Sequence, residues 1–250
     1  MQHLGAFYES VDPGAAYNTL NAVSDACLFT SGVDMRVPSG LSSLIGAAVT
    51  GNDSSIARAQ IQSPSLRQVV NIDVEPMINA LVFGNPPEAI YHPRMPIPLV
   101  GDEALNFAVD SDPSSAVVHY GLVWFADGAQ QEAQGQIYSV RATSACSLSA
   151  GAWVAGELTF NQVLPRGRYQ VVGMRARGTN LVAARLNFRG QAFRPGTIAL
   201  NAIGDQDHRL MRHGGMGVLG EFDTNTPPAI DCLGVTDSSQ VYILDLIKVG

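Results

Sequence analysis

"RYQVVGMRARGTNLVAARLNF", residues 168–188, is the stretch from which the fold is read. Apolar and polar residues alternate on both sides of Gly178-Thr179-Asn180. Alternation marks a half-buried strand, and a short break containing Gly and Asn closes a hairpin. In that hairpin Arg177 faces Leu181, Arg175 faces Ala183, Gly173 faces Arg185, Val171 faces Asn187 and Tyr169 faces Arg189. The other face pairs Ala176 with Val182, Met174 with Ala184, Val172 with Leu186 and Gln170 with Phe188. One face is then core, and the opposite face carries Arg175, Arg177, Arg185 and Arg189.

The surrounding residues 164–196 hold seven arginines and no acid. Between 158 and 204 there is no Asp or Glu, so this segment is locally +7 while the rest of the chain sums to −14. Guanidiniums gathered on one sheet face repel one another unless counter-charge is supplied. Three sources qualify: acidic loops of the same fold, an acidic face of a neighbouring subunit, or phosphates. The plain alternative is a solvated outer face. A pI near 5.1 and 7% aromatic residues are unlike the basic, aromatic-rich make-up of nucleic-acid binders. Arg175, Arg177, Arg185 and Arg189 are therefore expected to be assembly residues, meeting loops such as Asp110–Asp112 or Asp205–Asp207 of a neighbour.

Further strands are expected after residue 100, at 103–111, 116–126, 135–144, 152–160, 215–222 and 240–249. Asp112-Pro113, Asp127-Gly128 and Pro165-Arg166-Gly167 separate some of them as turns. With the two strands of the hairpin this makes eight, the count of an antiparallel jelly-roll sandwich, so the chain is read as all-β. The region before residue 100 is more mixed. "NAVSDACLF" and "SSIARAQIQ" alternate as strands. "SGLSSLIGAAV" reads as a helix, with Ser39 as N-cap and Leu41, Leu44 and Ile45 at helical spacing. "SPSLRQVV" reads as a short helical turn with Pro64 near its start. Five prolines in 84–98 argue for a connector or edge segment. The expected organisation is an arm over 1–17, a β-rich and partly helical domain over 18–84, a connector over 85–100 and a jelly-roll-like domain over 101–250.

Composition bounds the function. A chain of 250 residues buries enough surface to need no metal or disulfide staple. Charged residues are only 15%, against about 25% in typical domains. Little polar surface suggests that the outside is covered by copies of the chain or by a partner. Of 15 basic residues only Lys248 is lysine. Arginine suits interfaces, and a GC-rich genome explains the same bias. Cys27, Cys146 and Cys232 lack metal or disulfide-framework spacing and are expected to be reduced. The opening "MQHLGAFYESVDPG" lacks the basic and apolar regions of a signal peptide, and no apolar run is long enough to span a membrane.

No nucleophile elbow, zinc-protease motif, P-loop or dinucleotide fingerprint occurs, so the chain carries no catalytic signature. "GDQDHRLMRHGGMGVLGEFD", residues 204–223, is the one cluster able to hold a metal, through Asp205, Asp207, His208 and His213 with Glu221 or Asp223. Its spacing matches no metal motif, and a mixed-charge surface loop is the favoured reading. His119 is expected to be a hydrogen-bonded core histidine. Tyr120, Trp124 and Phe125 do not share one face, so they are read as core rather than a sugar-stacking platform.

The strand train after residue 100, the pair "IPLVGDEALNFAVDSD…AVVHYGLVWFADG", the proline-rich joint and the low charge resemble viral coat proteins of the jelly-roll lineage. The likeness is to the double jelly-roll major capsid proteins of tailless viruses. It covers 103–249 and leaves 18–100 open between a second jelly roll and an elaborated N-terminal region. The resemblance implies an icosahedral shell built from trimers, no enzyme activity, no cofactor, and a location in the virion after assembly in the host cytoplasm. Its partners would be further copies, other capsid proteins and packaged nucleic acid. A carbohydrate-binding β-sandwich, through Trp124 or Trp153, and a cupin-like metalloenzyme using the 204–223 loop are the alternatives.

Overall fold

The computed structural model describes residues 2–11, 17–51, 56–74, 90–91, 94–111, 118–149, 151–178, 181–200, 213–234 and 240–250. The described chain is nearly all β, its one helical element being a 3-10 turn at Leu66–Gln68. It divides into two compact units, Ala6–Ala129 and Gln130–Gly250, the second also holding Met1–Gly5.

The N-terminal unit contains β1 (His3–Val11) from Ala6 onward, β2 (Asn18–Thr19), β3 (Asn21–Ala22), β4 (Thr30–Ser31), β5 (Asp34–Arg36), β6 (Ser43–Gly51) and β7 (Ile56–Gln62). After these come β8 (Ile72–Val74), β9 (Ile90–Tyr91), β10 (Ile97–Pro98), β11 (Ala104–Ser111) and β12 (Val118–Ala126). One sheet runs β10-β6-β12-β1-β3, with β9 also on β6. The other runs β4-β5-β11-β7-β8, with β2 also on β11. Take β1, β5, β6, β7, β8, β9/β10, β11 and β12 as strands one to eight. The sheets then read one-eight-three-six and two-seven-four-five, the double Greek-key order of a jelly roll.

The C-terminal unit contains β13 (Tyr138–Ser144), β14 (Val154–Glu157), β15 (Thr159–Phe160), β16 (Arg168–Arg177), β17 (Leu181–Asn187), β18 (Gly196–Leu200), β19 (Gly220–Asp223), β20 (Ala229–Gly234) and β21 (Gln240–Lys248). Its ladder runs β14-β20-β17-β18-β16-β21-β13-β15, with β19 on β16. With β14 and β15 as one bent strand, β13-β21-β16-β19 is again one-eight-three-six and β14-β20-β17-β18 is two-seven-four-five. Two parallel pairs, Ala176–Ala199 and Arg177–Leu200, join the two sheets along one side.

Several expectations are corrected. Residues 168–188 form two strands but no hairpin. β16 pairs with β21 and β19, whereas β17 pairs with β20 and β18. Strands three and four of a jelly roll lie in opposite sheets, and a corner between sheets carries the same local alternation as a hairpin turn. The segment read as a helix from Ser39 is strand β6, whose residues Leu44–Val49 are all buried. A strand covered on both faces loses its alternation, which leaves length and spacing ambiguous between helix and strand. The expected arm over 1–17 contains the nine-residue strand β1, fully buried from His3 to Tyr8.

The division between units also lies elsewhere than the proline-rich segment. β11 runs between β5 and β7, and β12 between β1 and β6, so both complete the first jelly roll rather than open the second. The described part of the proline-rich segment supplies edge strands, with Ile97–Pro98 paired to Ser43–Leu44. Proline sits there because an edge needs no second donor row.

Each core follows from the alternation. In the N-terminal unit Tyr8 and Phe107 pack with ring centroids 5.6 Å apart, and the Tyr8 hydroxyl donates to the Leu105 carbonyl at 2.7 Å. Gly121 leaves room for this ring: a Cβ there would lie 2.9 Å from Phe107. In the C-terminal unit Val140, Met174 and Leu244 fill one sheet's inner face, and Leu186, Ile230 and Cys232 belong to the other sheet.

Candidate functional site

The four arginines singled out from the sequence do not share a face. Arg175 and Arg177 lie on β16, half-buried. Arg185 lies on β17 in the other sheet and is 1% exposed. Its Nε donates to Asp231 Oδ2 at 3.1 Å, and its guanidinium sits 4.0 Å above the Trp153 ring. Arg194 donates to the same Asp231 oxygen. Arg189 follows the end of β17 and is exposed. For Arg185 and Arg194, counter-charge therefore comes from within the fold. Arg168 is neutralised likewise, donating to Glu221 at 2.6 Å across β16 and β19. A hydrogen bond from Gln170 and this guanidinium hold the Glu221 carboxyl below the usual range, against a smaller upward push from burial. Asp231, on a strand that local pattern reading missed, is the acid that removes Arg185 from the expected assembly set.

A different basic face emerges from the register. Arg141 on β13 and Arg175 on β16 both stand opposite Ile243 of β21. Thr143 and Arg177 both stand opposite Val241. Side chains directly opposite share a sheet face, so Arg141, Arg175 and Arg177 surround Val241 and Ile243 on the outer side of β13-β21-β16. Arg141 is exposed and the two aliphatic residues are half-buried. Arginine beside aliphatic surface is the composition of a protein-contact patch. Asp245 closes one end of this face, fully buried, accepting from Ser139 Oγ at 2.7 Å and from the His213 N–H at 2.9 Å.

The N-terminal unit presents the opposite character. Across β5, β11, β7 and β8 lies a row of polar side chains on one face. Asn106 donates to Asp34 at 2.9 Å, Gln62 to Gln60 at 2.9 Å and Gln60 to Asp73 at 2.9 Å. Arg58 pairs with Asp110 at 2.5 Å. By sequence, residues 6–129 hold thirteen carboxylates and four arginines, a formal −9. Residues 1–5 and 130–250 hold eleven cations and nine carboxylates, a formal +2.

The remaining sequence candidates resolve as follows. Asp205, Asp207, His208 and Asp112 lie outside the described residues. His213 Nδ1 is 3.7 Å from Asp245, while Glu221 is held by Arg168 and Gln170, so these two do not converge. Among the described residues no group of three or more His, Cys, Asp or Glu side chains could hold a metal ion. His119, Tyr120, Trp124 and Phe125 are all buried, with at most 2% exposure, which removes Trp124 as a sugar-stacking surface. Trp153 is half-buried against the Arg185 guanidinium. Cys27 is half-buried, and Cys146 and Cys232 are buried; all three are free thiols. No described helix is long and apolar enough to cross a membrane.

No protein-family model matches the chain, and no curated protein matches it. Among solved structures, a Paenibacillus xanthan lyase is similar at 12% identity and a TM-score of 0.25. The match covers 96% of this chain and 25% of that one, so the chain spans a quarter of the lyase's length.

Proposed function

We propose that the chain is a structural, self-assembling subunit of the double jelly-roll coat-protein kind, which builds a shell from further copies of itself. The observation that carries this reading is the opposition of two jelly rolls of unlike charge, −9 and +2, within one polypeptide. Opposite net charge favours contact between the N-terminal unit of one copy and the C-terminal unit of the next. Such a head-to-tail contact is heterologous, and it forms rings when its rotation closes. The Arg141, Arg175 and Arg177 face with Val241 and Ile243 offers the basic side of that contact, and the face carrying Asp34 and Asp73 the acidic side. The low overall charge fits a protein whose outer surface is covered in use.

The test is native mass spectrometry with light scattering, followed by electron microscopy of the purified chain. Discrete rings or closed shells that weaken in high salt are the expected result. Replacing Arg175 and Arg177 together by glutamate should lower the apparent association constant at least tenfold, since like charges would then meet across the contact. A monomer that persists at millimolar concentration in low salt sinks the proposal.

A further inference from the structure

We propose that Cys146, two residues beyond β13, and Cys232 on β20 are the two halves of a disulfide site that closes under oxidising conditions and staples the C-terminal jelly roll. The inference stands on the thiol geometry and holds whether or not the chain assembles.

Both residues are held from the same strand. At the start of β21, Gln240 Oε1 accepts the Cys146 N–H at 3.0 Å, and Gln240 Nε2 donates to the Cys146 carbonyl at 3.2 Å. Two residues along the same strand, the Tyr242 hydroxyl lies 3.0 Å from Cys232 Sγ. Gln240 and Tyr242 are both buried and, two apart on a strand, point the same way.

The second constraint comes from β14 and β20. Val154 stands opposite Cys232 and Gly156 opposite Ile230, so Gly156 faces the same side as Cys232. A Cβ at Gly156 would overlap the Cys146 sulfur, with the Ser144 hydroxyl 2.8 Å away. Glycine is thus present because the Cys146 thiol occupies the space that a side chain would take. The two thiols share one pocket above the β14–β20 pair, each less than 3% exposed. Burial pushes the Cys232 thiol well up, and the neighbouring Cys146 pushes it further, against a downward pull from Tyr242. In the closed fold burial keeps the Cys232 sulfur protonated and slow to react.

Reaction needs the cover to lift. β14 has four residues and pairs on one side only, with β20, so it opens at low cost. In the opened state the Cys146 thiolate attacks a sulfur of a low-molecular-weight disulfide, such as oxidised glutathione. A mixed disulfide forms and one small thiolate leaves. The Cys232 thiolate then attacks the Cys146 sulfur, closing the protein disulfide and releasing the second small thiolate. Two protein thiols each lose a proton, and the reagent's disulfide gains two electrons.

The test uses the full chain with Cys27→Ser, which leaves Cys146 and Cys232 as its only thiols. The protein is incubated with oxidised glutathione, unfolded in guanidinium with iodoacetamide, and weighed intact. The expected product carries no alkyl group before reduction and two after it. Its Tm should be roughly 10 °C above that of the reduced form, because the bond closes a long loop. Peptide mapping of the unaltered chain, seeking the linked peptides that contain 146 and 232, gives the same answer if the variant fails to fold. Two alkylated cysteines even when oxidant is present throughout refolding, a persistent glutathione adduct, or linkage only between chains would each overturn the proposal.

Discussion

Replacing Asp231 by alanine removes the carboxylate that Arg185 and Arg194 share. Arg185 is 1% exposed and Asp231 2%, so the guanidinium left behind cannot reach water without moving the strand that carries it. Stranding one member of a buried ion pair costs about 3–5 kcal/mol. The Trp153 ring, 4.0 Å from the guanidinium, offsets part of this, and the partly exposed Arg194 can turn to solvent. The lower end, about 3 kcal/mol, is therefore the expected loss. The C-terminal unit has an unfolding entropy near 0.26 kcal/mol/K, from about 2.1 cal/mol/K per residue. The midpoint should then fall by roughly 11 °C. Differential scanning calorimetry of parent and variant measures this directly. Arg58→Ala is the control, because its pair with Asp110 is 2.5 Å long but Arg58 is 65% exposed, and no measurable shift is expected. The double variant Arg185→Met with Asp231→Leu should recover most of the lost stability, since a matched apolar pair leaves no fully buried charge uncompensated and Arg194, 24% exposed, can turn to solvent. A midpoint for Asp231→Ala within about 2 °C of the parent would refute the claim that this pair neutralises the arginines internally.

Other outcomes follow from single contacts. Gly121→Ala sets a Cβ 2.9 Å from the buried Phe107 ring and should cost about 1–3 kcal/mol by urea unfolding. Glu103 accepts from Ser65 Oγ at 2.6 Å, from Ser65 N–H at 3.0 Å and from Val100 N–H at 3.0 Å. Burial pushes its carboxyl up, but these bonds outweigh burial and hold it below the usual range. Its contribution is therefore present above the unfolded carboxylate range and disappears as pH falls through the folded value. Glu103→Gln should be less stable than the parent at pH 7, and the two should converge under acid in a pH series of thermal melts. Arg141→Glu should weaken self-association as Arg175→Glu does, whereas Arg189→Glu, beyond β17 and off that face, should leave it unchanged in sedimentation velocity.

The all-β class, the strands at 104–111, 118–126, 168–177 and 240–248, and the surplus of arginine were legible along the chain. They depend on side-chain alternation and composition, which neighbours in sequence carry by themselves. Strand partnership was not legible. The Gly178 corner joins two sheets rather than two hydrogen-bonded neighbours, and both arrangements satisfy the same alternation. β18 and β20 escaped notice because "GTIAL" and "AIDCLG" are short and nearly continuous in small or apolar residues. Yet β20 brings Asp231 to Arg185, so missing it led to a buried structural arginine being read as a contact residue. Arg141 was overlooked for the converse reason: only β21, inserted between β13 and β16, aligns it with Arg175. What each residue prefers to do locally is written in the sequence. Which charges meet was decided by strand order, because residues far apart in the chain become neighbours only when the Greek keys close.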